Sequence, residues 1–468
     1  MKNHSFTEEQ FHSKNFGNDF IWGISASALQ SEGAHNTDGK GNSIWDTFSD
    51  HRKKILNGDT PKKASEFYHR YKEDIAIIKS LHIPNFRFSI SWSRILPNGI
   101  GEINQPGIDF YNRVIDECLA NNIEPWVTLY HWDLPLALSH KGGWTNREII
   151  HWFTEYASLC IRTFGDRVKH WMILNEPMVF TGAGYFLGVH APGEKGLKKF
   201  LPAVHHAVLC QAIGAKVIKS ENALTEVGST FSCSYITPNS NSDKDHAAAN
   251  RIDALINRLF IETALGLGYP YNELPLLKKI EKYIKPGDEK LMKADFDFIG
   301  LQNYTREVVA HTYFVPYLQA KVIRANKRKV YHTTMDWEVY PEAIYEMIKK
   351  ISNYAGVKKI IVTENGAAFH DEVQNEKIND EERIIYLSNY LKQVHRAKAD
   401  GHKISGYFVW ALTDNFEWTE GYYPRFGLVH VNFETQKRII KQSGYWYKNF
   451  LKRKEILKPL HQITQAKS

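Results

Sequence analysis

Two glutamates stand where a short apolar run meets a chain break. Glu176 lies in Leu174-Asn175-Glu176-Pro177, and Glu364 ends Ile360-Ile361-Val362-Thr363-Glu364, just before Asn365-Gly366. Pro177 cannot donate to a β-ladder, so a strand through Leu174 must stop there. Asn-Gly is a turn signal, so the second run ends at its glutamate as well. Either motif alone also fits an exposed glutamate at a strand end. Together, on two strands of one sheet, they suit glycoside hydrolysis, which uses two carboxyl groups flanking the scissile bond.

Such a pair needs a frame that brings distant strand ends together. Eight short apolar runs can be picked out, at residues 20–25, 86–90, 125–130, 170–174, 227–235, 296–301, 360–363 and 406–411. Near-continuous apolar strands are what a parallel sheet covered by helices requires. Helical patterns lie between them. Tyr71, Ile75, Ile78 and Leu81 recur on one face over 68–81, and Ile384, Leu387, Leu391 and Val394 do so over 381–399. Alternation along the whole chain predicts an α/β fold, a single (β/α)₈ TIM barrel. Gaps of about 60 residues after the first and fifth runs predict elaborated βα loops. In a barrel the C-terminal strand ends converge on one face. Gln30 follows the first run, Arg87 lies in the second, and His131 and Trp132 end the third. Asn175 and Glu176 end the fourth, Tyr304 follows the sixth, and Glu364 ends the seventh. Trp410 lies in the eighth, with Glu417 and Trp418 just beyond. Core packing explains the apolar runs but gives no reason for polar residues to gather at their ends.

Composition narrows the class. The chain has 468 residues, 43% hydrophobic and 24% charged, which excludes disordered and collagen-like readings. A net charge of +7 is mild over so large a surface, and the one tight basic cluster, 324–329, is short and loop-like, so no nucleic-acid partner is expected. Cys118, Cys160, Cys210 and Cys233 are far apart with no CxxC pair, which fits buried free thiols rather than a disulfide frame or zinc site. The N-terminal stretch has no apolar signal-like core, and no run reaches the roughly 18 apolar residues of a membrane span. A cytoplasmic protein with no membrane partner is the expectation. No linker divides the chain, so 1–15 reads as an N-terminal tail, 16–451 as one catalytic domain and 452–468 as a C-terminal tail.

The sequence resembles glycoside hydrolase family 1, the β-glucosidase family. Its two hallmark segments appear as Asn175-Glu176-Pro177 and Thr363-Glu364-Asn365-Gly366. FIWGISASALQSEGA (20–34), FRFSISWSRILPNG (86–99), VTLYHWDLP (127–135), MDWEVYPE (335–342) and WALTDNFEWTEGYYPRFGL (410–428) match other family segments, in family order. The resemblance implies a retaining β-glycosidase acting on terminal β-D-glucosyl residues, with galactosyl and fucosyl residues also open. It implies Glu364 as nucleophile and Glu176 as proton donor. It implies Arg87 and Tyr304 as holders of Glu364. Gln30, His131, Trp132, Asn175, Glu417 and Trp418 are then expected to bind sugar, Trp410 to be its stacking platform, and Trp337 to line the leaving-group side. No metal or organic cofactor is required. The expected partners are small β-glycosides or oligosaccharides, and self-association is left open.

Double displacement needs Glu364 ionised and Glu176 protonated. Arg87 and Tyr304 favour the first condition, and a negative neighbour favours the second. The carboxyl groups of retaining enzymes lie about 5–5.5 Å apart. Two alternatives stand beside this reading. A 6-phospho-β-glycosidase would carry a small residue in place of Glu417 and a lysine-containing phosphate motif. A non-catalytic sugar-binding protein on the same barrel would have lost a catalytic glutamate, and both survive here. Gln302 stands where most members have Asn, Leu29 replaces a usual aromatic and Leu259 a usual Trp. The leaving-group region, about 308–335, resembles the family least.

Overall fold

A computed structural model describes residues 11–452. Its first eleven strands, in chain order, are β1 (Ile21–Ser25), β2 (Asn85–Ser89), β3 (Glu124–Tyr130), β4 (His170–Asn175), β5 (Glu226–Ser232), β6 (Tyr235–Pro238), β7 (Phe298–Gln302), β8 (Arg306–His311), β9 (Ala320–Val322), β10 (Ile360–Asn365) and β11 (Ile404–Trp410). Eight of them close a parallel barrel in the order β1-β2-β3-β4-β5-β7-β10-β11, with β11 pairing back onto β1. This is the expected (β/α)₈ barrel. All eight apolar runs supply a barrel strand, with adjusted ends. The run at 227–235 breaks at Ser232, and β6 leaves the barrel to join β8 and β9 in a separate three-stranded sheet. The long gap after the fifth run holds mainly helical segments such as Asp243–Asp253 and Leu259–Ala264, while β8 and β9 belong to the segment after β7.

The strands read as they do because both sides are covered. β10, Ile-Ile-Val-Thr-Glu-Asn, is buried along its whole length. Trp126, Met172, Phe298, Ile361 and Phe408 fill the barrel interior as one packed layer. Burying an aliphatic or Phe side chain of this kind is worth about 1.5–3 kcal/mol. Gly23 leaves room for this layer, since a Cβ there would stand 2.2 Å from the Phe408 ring. The outer helices carry the expected stripes. Glu381–Ala399 begins with Glu381 and Glu382 and ends with Arg396 and Lys398, matching charge to the helix dipole, while Leu387, Leu391 and Val394 are buried.

Helix Leu197–Glu221 is long and apolar enough to cross a membrane, but 83% of its apolar window is buried inside the protein. It is a core helix that packs on Ile149–Phe164. All four cysteines are free and buried. The basic stretch 324–329 is less loop-like than expected: Ala325–Arg328 forms a helical turn, and Arg328 is paired with Glu338 at 2.7 Å. Residues 1–10 and 453–468 of the two expected tails lie outside the described residues. Phe11 packs on Phe16 and Phe450, against the barrel.

Candidate active site

A cavity of about 730 Å³ opens at the C-terminal ends of the barrel strands. Ten of the twelve candidate residues line it: Gln30, His131, Trp132, Glu176, Tyr304, Trp337, Glu364, Trp410, Glu417 and Trp418. Arg87 and Asn175 stand behind the wall, fully buried; Arg87 ties Glu364 to the barrel, and Asn175 precedes Glu176 at the end of β4.

Arg87 projects from β2 into the barrel, next to the apolar layer. A buried guanidinium is costly unless paired and hydrogen-bonded. Here it forms an ion pair with Glu364 Oε1, donates to Asn175 Oδ1 at 2.6 Å and donates to Thr128 Oγ1 at 3.2 Å. The Tyr304 hydroxyl donates to Glu364 Oε2 at 2.6 Å. Both oxygens of Glu364 therefore face donors. Burial and the Glu364 charge push the Tyr304 phenol well above its usual range, so it stays a donor. The turn after Glu364 is equally constrained. Asn365 donates to Asn303 O at 2.6 Å, and a Cβ on Gly366 would stand 1.8 Å from the Trp410 carbonyl oxygen. Glycine is the residue that lets β10 and β11 approach so closely.

Asn175 is fixed by what it accepts. Its Oδ1 takes hydrogen bonds from Arg87, from Thr230 Oγ1 at 2.8 Å and from Gln302 Nε2 at 2.8 Å. Three donors on one atom settle which end of the amide is oxygen. Its Nδ2, a donor, therefore faces His131 Nε2 at 3.0 Å. The proton of neutral His131 then sits on Nδ1, which has no hydrogen-bond partner among the described residues. Burial, with Arg87 nearby, holds this imidazole well below its usual pKa, so it is neutral. Gln302, the departure from the family pattern, uses its extra methylene to reach Asn175 rather than the cavity.

Glu176 has a left-handed backbone, φ 48°, an uncommon state for a non-glycine residue, and its N–H bonds Thr230 O at 2.9 Å. Burial first, then the charge of Glu364, pushes its carboxyl up to about 8. The sequence reading named the negative neighbour; burial is the larger cause. Burial raises the proton affinity of Glu364 as well, but Arg87 and then Tyr304 oppose it. Among the described residues Glu176 has no ion-pair partner, so the shared environment favours the proton on Glu176 and the negative charge on Glu364.

The rest of one half combines polar and aromatic side chains. Gln30 Nε2 lies 3.3 Å from Glu417 Oε2, and Gln30 Oε1 accepts from Ser27 at 2.6 Å. Trp132 and Trp418, both with positive φ, pack at a ring separation of 4.2 Å. Trp132 Nε1 donates to Asn175 O at 2.9 Å, so this ring also braces the β4 end. Trp410 forms a wall with Phe426. The other half is lined by the segment after β7, including Trp337, Glu307, Arg324 and Asp336. Sequence reasoning named Trp337 alone among these. Phe426 lay inside a matched segment, but nothing in Pro-Arg-Phe-Gly marks a cavity wall.

Among the described residues, one group of metal-ligand type, Asp371, Asp414 and His430, lies apart from this cavity. The Lys441 ammonium already stands 2.5 Å from Asp371 and 2.7 Å from Asp414. That cluster is a buried ion network.

A (β/α)₈ barrel with a carboxyl pair in an aromatic-walled cavity at its C-terminal face defines a sugar-hydrolysing class of enzyme. The glycosyl hydrolase family 1 model matches residues 12–456, and the chain belongs to that family. It is 44% identical to "Beta-glucosidase A" of Acetivibrio thermocellus over 93% of this chain and 98% of that protein. It is 35% identical to a "6-phospho-beta-galactosidase" of Clostridium acetobutylicum over 95% of this chain and 98% of that one. The solved family 1 β-glucosidase of Thermotoga maritima superposes with a TM-score of 0.90 at 42% identity, covering 93% of this chain and 98% of that one.

Proposed function

We propose that this enzyme is a retaining β-glucosidase, releasing terminal non-reducing β-D-glucosyl residues and accepting galactosyl or fucosyl rings at the same subsite. The observation that carries it is the unequal setting of two glutamates in one cavity: Glu364 ion-paired with Arg87, Glu176 buried without an ion pair among the described residues and pushed up to about 8.

The Glu364 carboxylate attacks C1 of the sugar. As the new C1–O bond forms, the bond to the leaving oxygen breaks and Glu176 gives that oxygen its proton. The product is a glycosyl ester on Glu364. Esterification removes the charge of Glu364, so Glu176 becomes a stronger acid than before and holds as a carboxylate. A water then attacks C1, its proton goes to Glu176, and the ester bond breaks to restore Glu364. Two inversions at C1 return the original configuration. His131 Nδ1 supplies a donor to a sugar hydroxyl, and Gln30 with Glu417 a paired donor and acceptor. A bound 6-phosphate would face Glu417, a bulky acidic residue, where the phospho-sugar reading expects a small residue and a lysine, which argues against that reading. Proton NMR of early hydrolysis tests the proposal: β-glucose must appear before mutarotation produces α. Initial α-glucose would overturn it.

A further inference from the structure

The helix Glu381–Ala399 packs on the outside of the barrel, but two of its tyrosines reach the supports of Glu364. Tyr386 and Tyr390 are four residues apart, buried, and stacked with ring centroids separated by 4.0 Å. A buried phenol hydroxyl needs a hydrogen-bond partner. Both donate to the same one, the Tyr304 carbonyl oxygen, at 3.0 Å from Tyr386 and 3.1 Å from Tyr390. Tyr304 lies between β7 and β8, outside both strands, so strand pairing does not hold this carbonyl. Burial pushes both phenols above their usual range, so each keeps its proton. The Tyr386 hydroxyl also accepts from Asn365 Nδ2 at 3.0 Å. The other proton of that amide goes to Asn303 O at 2.6 Å, and its Oδ1 accepts from the Tyr407 hydroxyl of β11. Asn365 directly follows the nucleophile. One hydroxyl thus joins the residue after Glu364 to the residue whose phenol bonds Glu364 Oε2 at 2.6 Å. Phenylalanines would fill the same volume, so packing gives no reason for two hydroxyls of an outer helix to converge on this carbonyl.

We infer that Tyr386, seconded by Tyr390, is a positioning residue for the displacement: it fixes the Tyr304 backbone against the end of β10, so that the Tyr304 hydroxyl stays aimed at Glu364. Groups that act on a reacting atom must be held to within about 0.5 Å, and that precision comes from the hydrogen bonds behind them. Neither tyrosine lines the cavity, so neither touches the sugar. The inference rests on the glycosidase reading above and adds to it a residue that acts on the nucleophile only through Tyr304.

Tyr386→Phe keeps the ring and removes the bridge. Its kcat/KM on 4-nitrophenyl β-glucoside is expected to fall about 2- to 12-fold, as for loss of one neutral hydrogen bond. The acid limb of the pH–rate profile should move to higher pH, because a misaimed Tyr304 stabilises the Glu364 carboxylate less. In a Tyr304→Phe background the same substitution should change kcat/KM by less than about twofold, since the route it acts through is already gone. Tyr390→Phe removes the second donor to the same carbonyl and carries the same three readouts if Tyr386→Phe fails to accumulate. An acid limb that stays in place overturns the inference, and so do losses that multiply in the double variant, since either outcome would leave the hydroxyl a packing group. A parent enzyme inert on the nitrophenyl glucoside would instead sink the glycosidase reading itself.

Discussion

The Tyr304 hydroxyl donates to Glu364 Oε2 at 2.6 Å, on the opposite oxygen from the one that Arg87 holds. One carboxylate is thus clamped from both sides by groups on β2 and just beyond β7. Tyr304→Phe keeps the ring and removes the donor. A hydrogen bond to a charged group is worth about 1.5–3 kcal/mol, so kcat/KM should fall about 10- to 150-fold. Glu364 would hold its proton more tightly, and the acid limb of the pH–rate profile should move to higher pH. An unmoved limb would show that the hydroxyl does not act on Glu364.

Glu364→Ala should lower turnover by about 10⁴-fold or more. Azide or formate fits the vacated space and attacks from the same side. Added azide should restore turnover and give an α-glucosyl azide, seen by NMR. Near-normal hydrolysis by the purified variant would rule out Glu364 as nucleophile.

Glu176→Gln removes the proton donor but keeps the shape. The loss should be about 10²–10⁴-fold on cellobiose, whose leaving oxygen needs a proton. It should be much smaller on an aryl glucoside with a good leaving group. Equal losses on both would contradict the acid role.

The carboxyl of Glu176 sits at about 8, so activity should fall as pH rises through that value, and this alkaline limb should be absent in Glu176→Gln. The same shift bears on stability. A carboxyl whose folded pKa is raised binds protons in the native state that the unfolded chain has released. Stability is therefore lost as pH rises from the ordinary carboxyl range to about 8. Glu176→Gln should raise Tm relative to the parent above pH 8 and leave it nearly unchanged near pH 4. Equal Tm differences at both pH values would mean that the carboxyl does not titrate as its burial requires.

Gly366→Ala would place a methyl 1.8 Å from the Trp410 carbonyl oxygen. Overpacking against backbone should cost about 1–3 kcal/mol or more. Both Tm and kcat should drop, since the shift passes straight to Glu364. A variant with parental Tm and rate would show that the β10–β11 approach is looser than described.

The two glutamates and the eight strands were legible from sequence because their signals are local. An apolar run, a proline and an Asn-Gly turn act on neighbouring residues, and they mark where a strand ends whatever surrounds it. Glu176 and Glu364 could be singled out for that reason, and the family resemblance added partners to them. Local pattern could not say that Gln302 reaches Asn175, that three donors on Asn175 set the proton of His131, or that burial outweighs the neighbouring charge at Glu176. Those facts join residues as far apart as Arg87 and Glu364, 277 positions in the chain. Nor did any motif mark Glu307 and Arg324 as cavity-lining residues, a place they take because β8 and β9 pair outside the barrel. Hydrophobic periodicity is written into adjacent residues, whereas desolvation and Coulomb interactions depend on what the closed barrel brings within a few ångströms. The first determined the frame and the reacting pair; the second decided which glutamate holds the proton and what the rest of the cavity can bind.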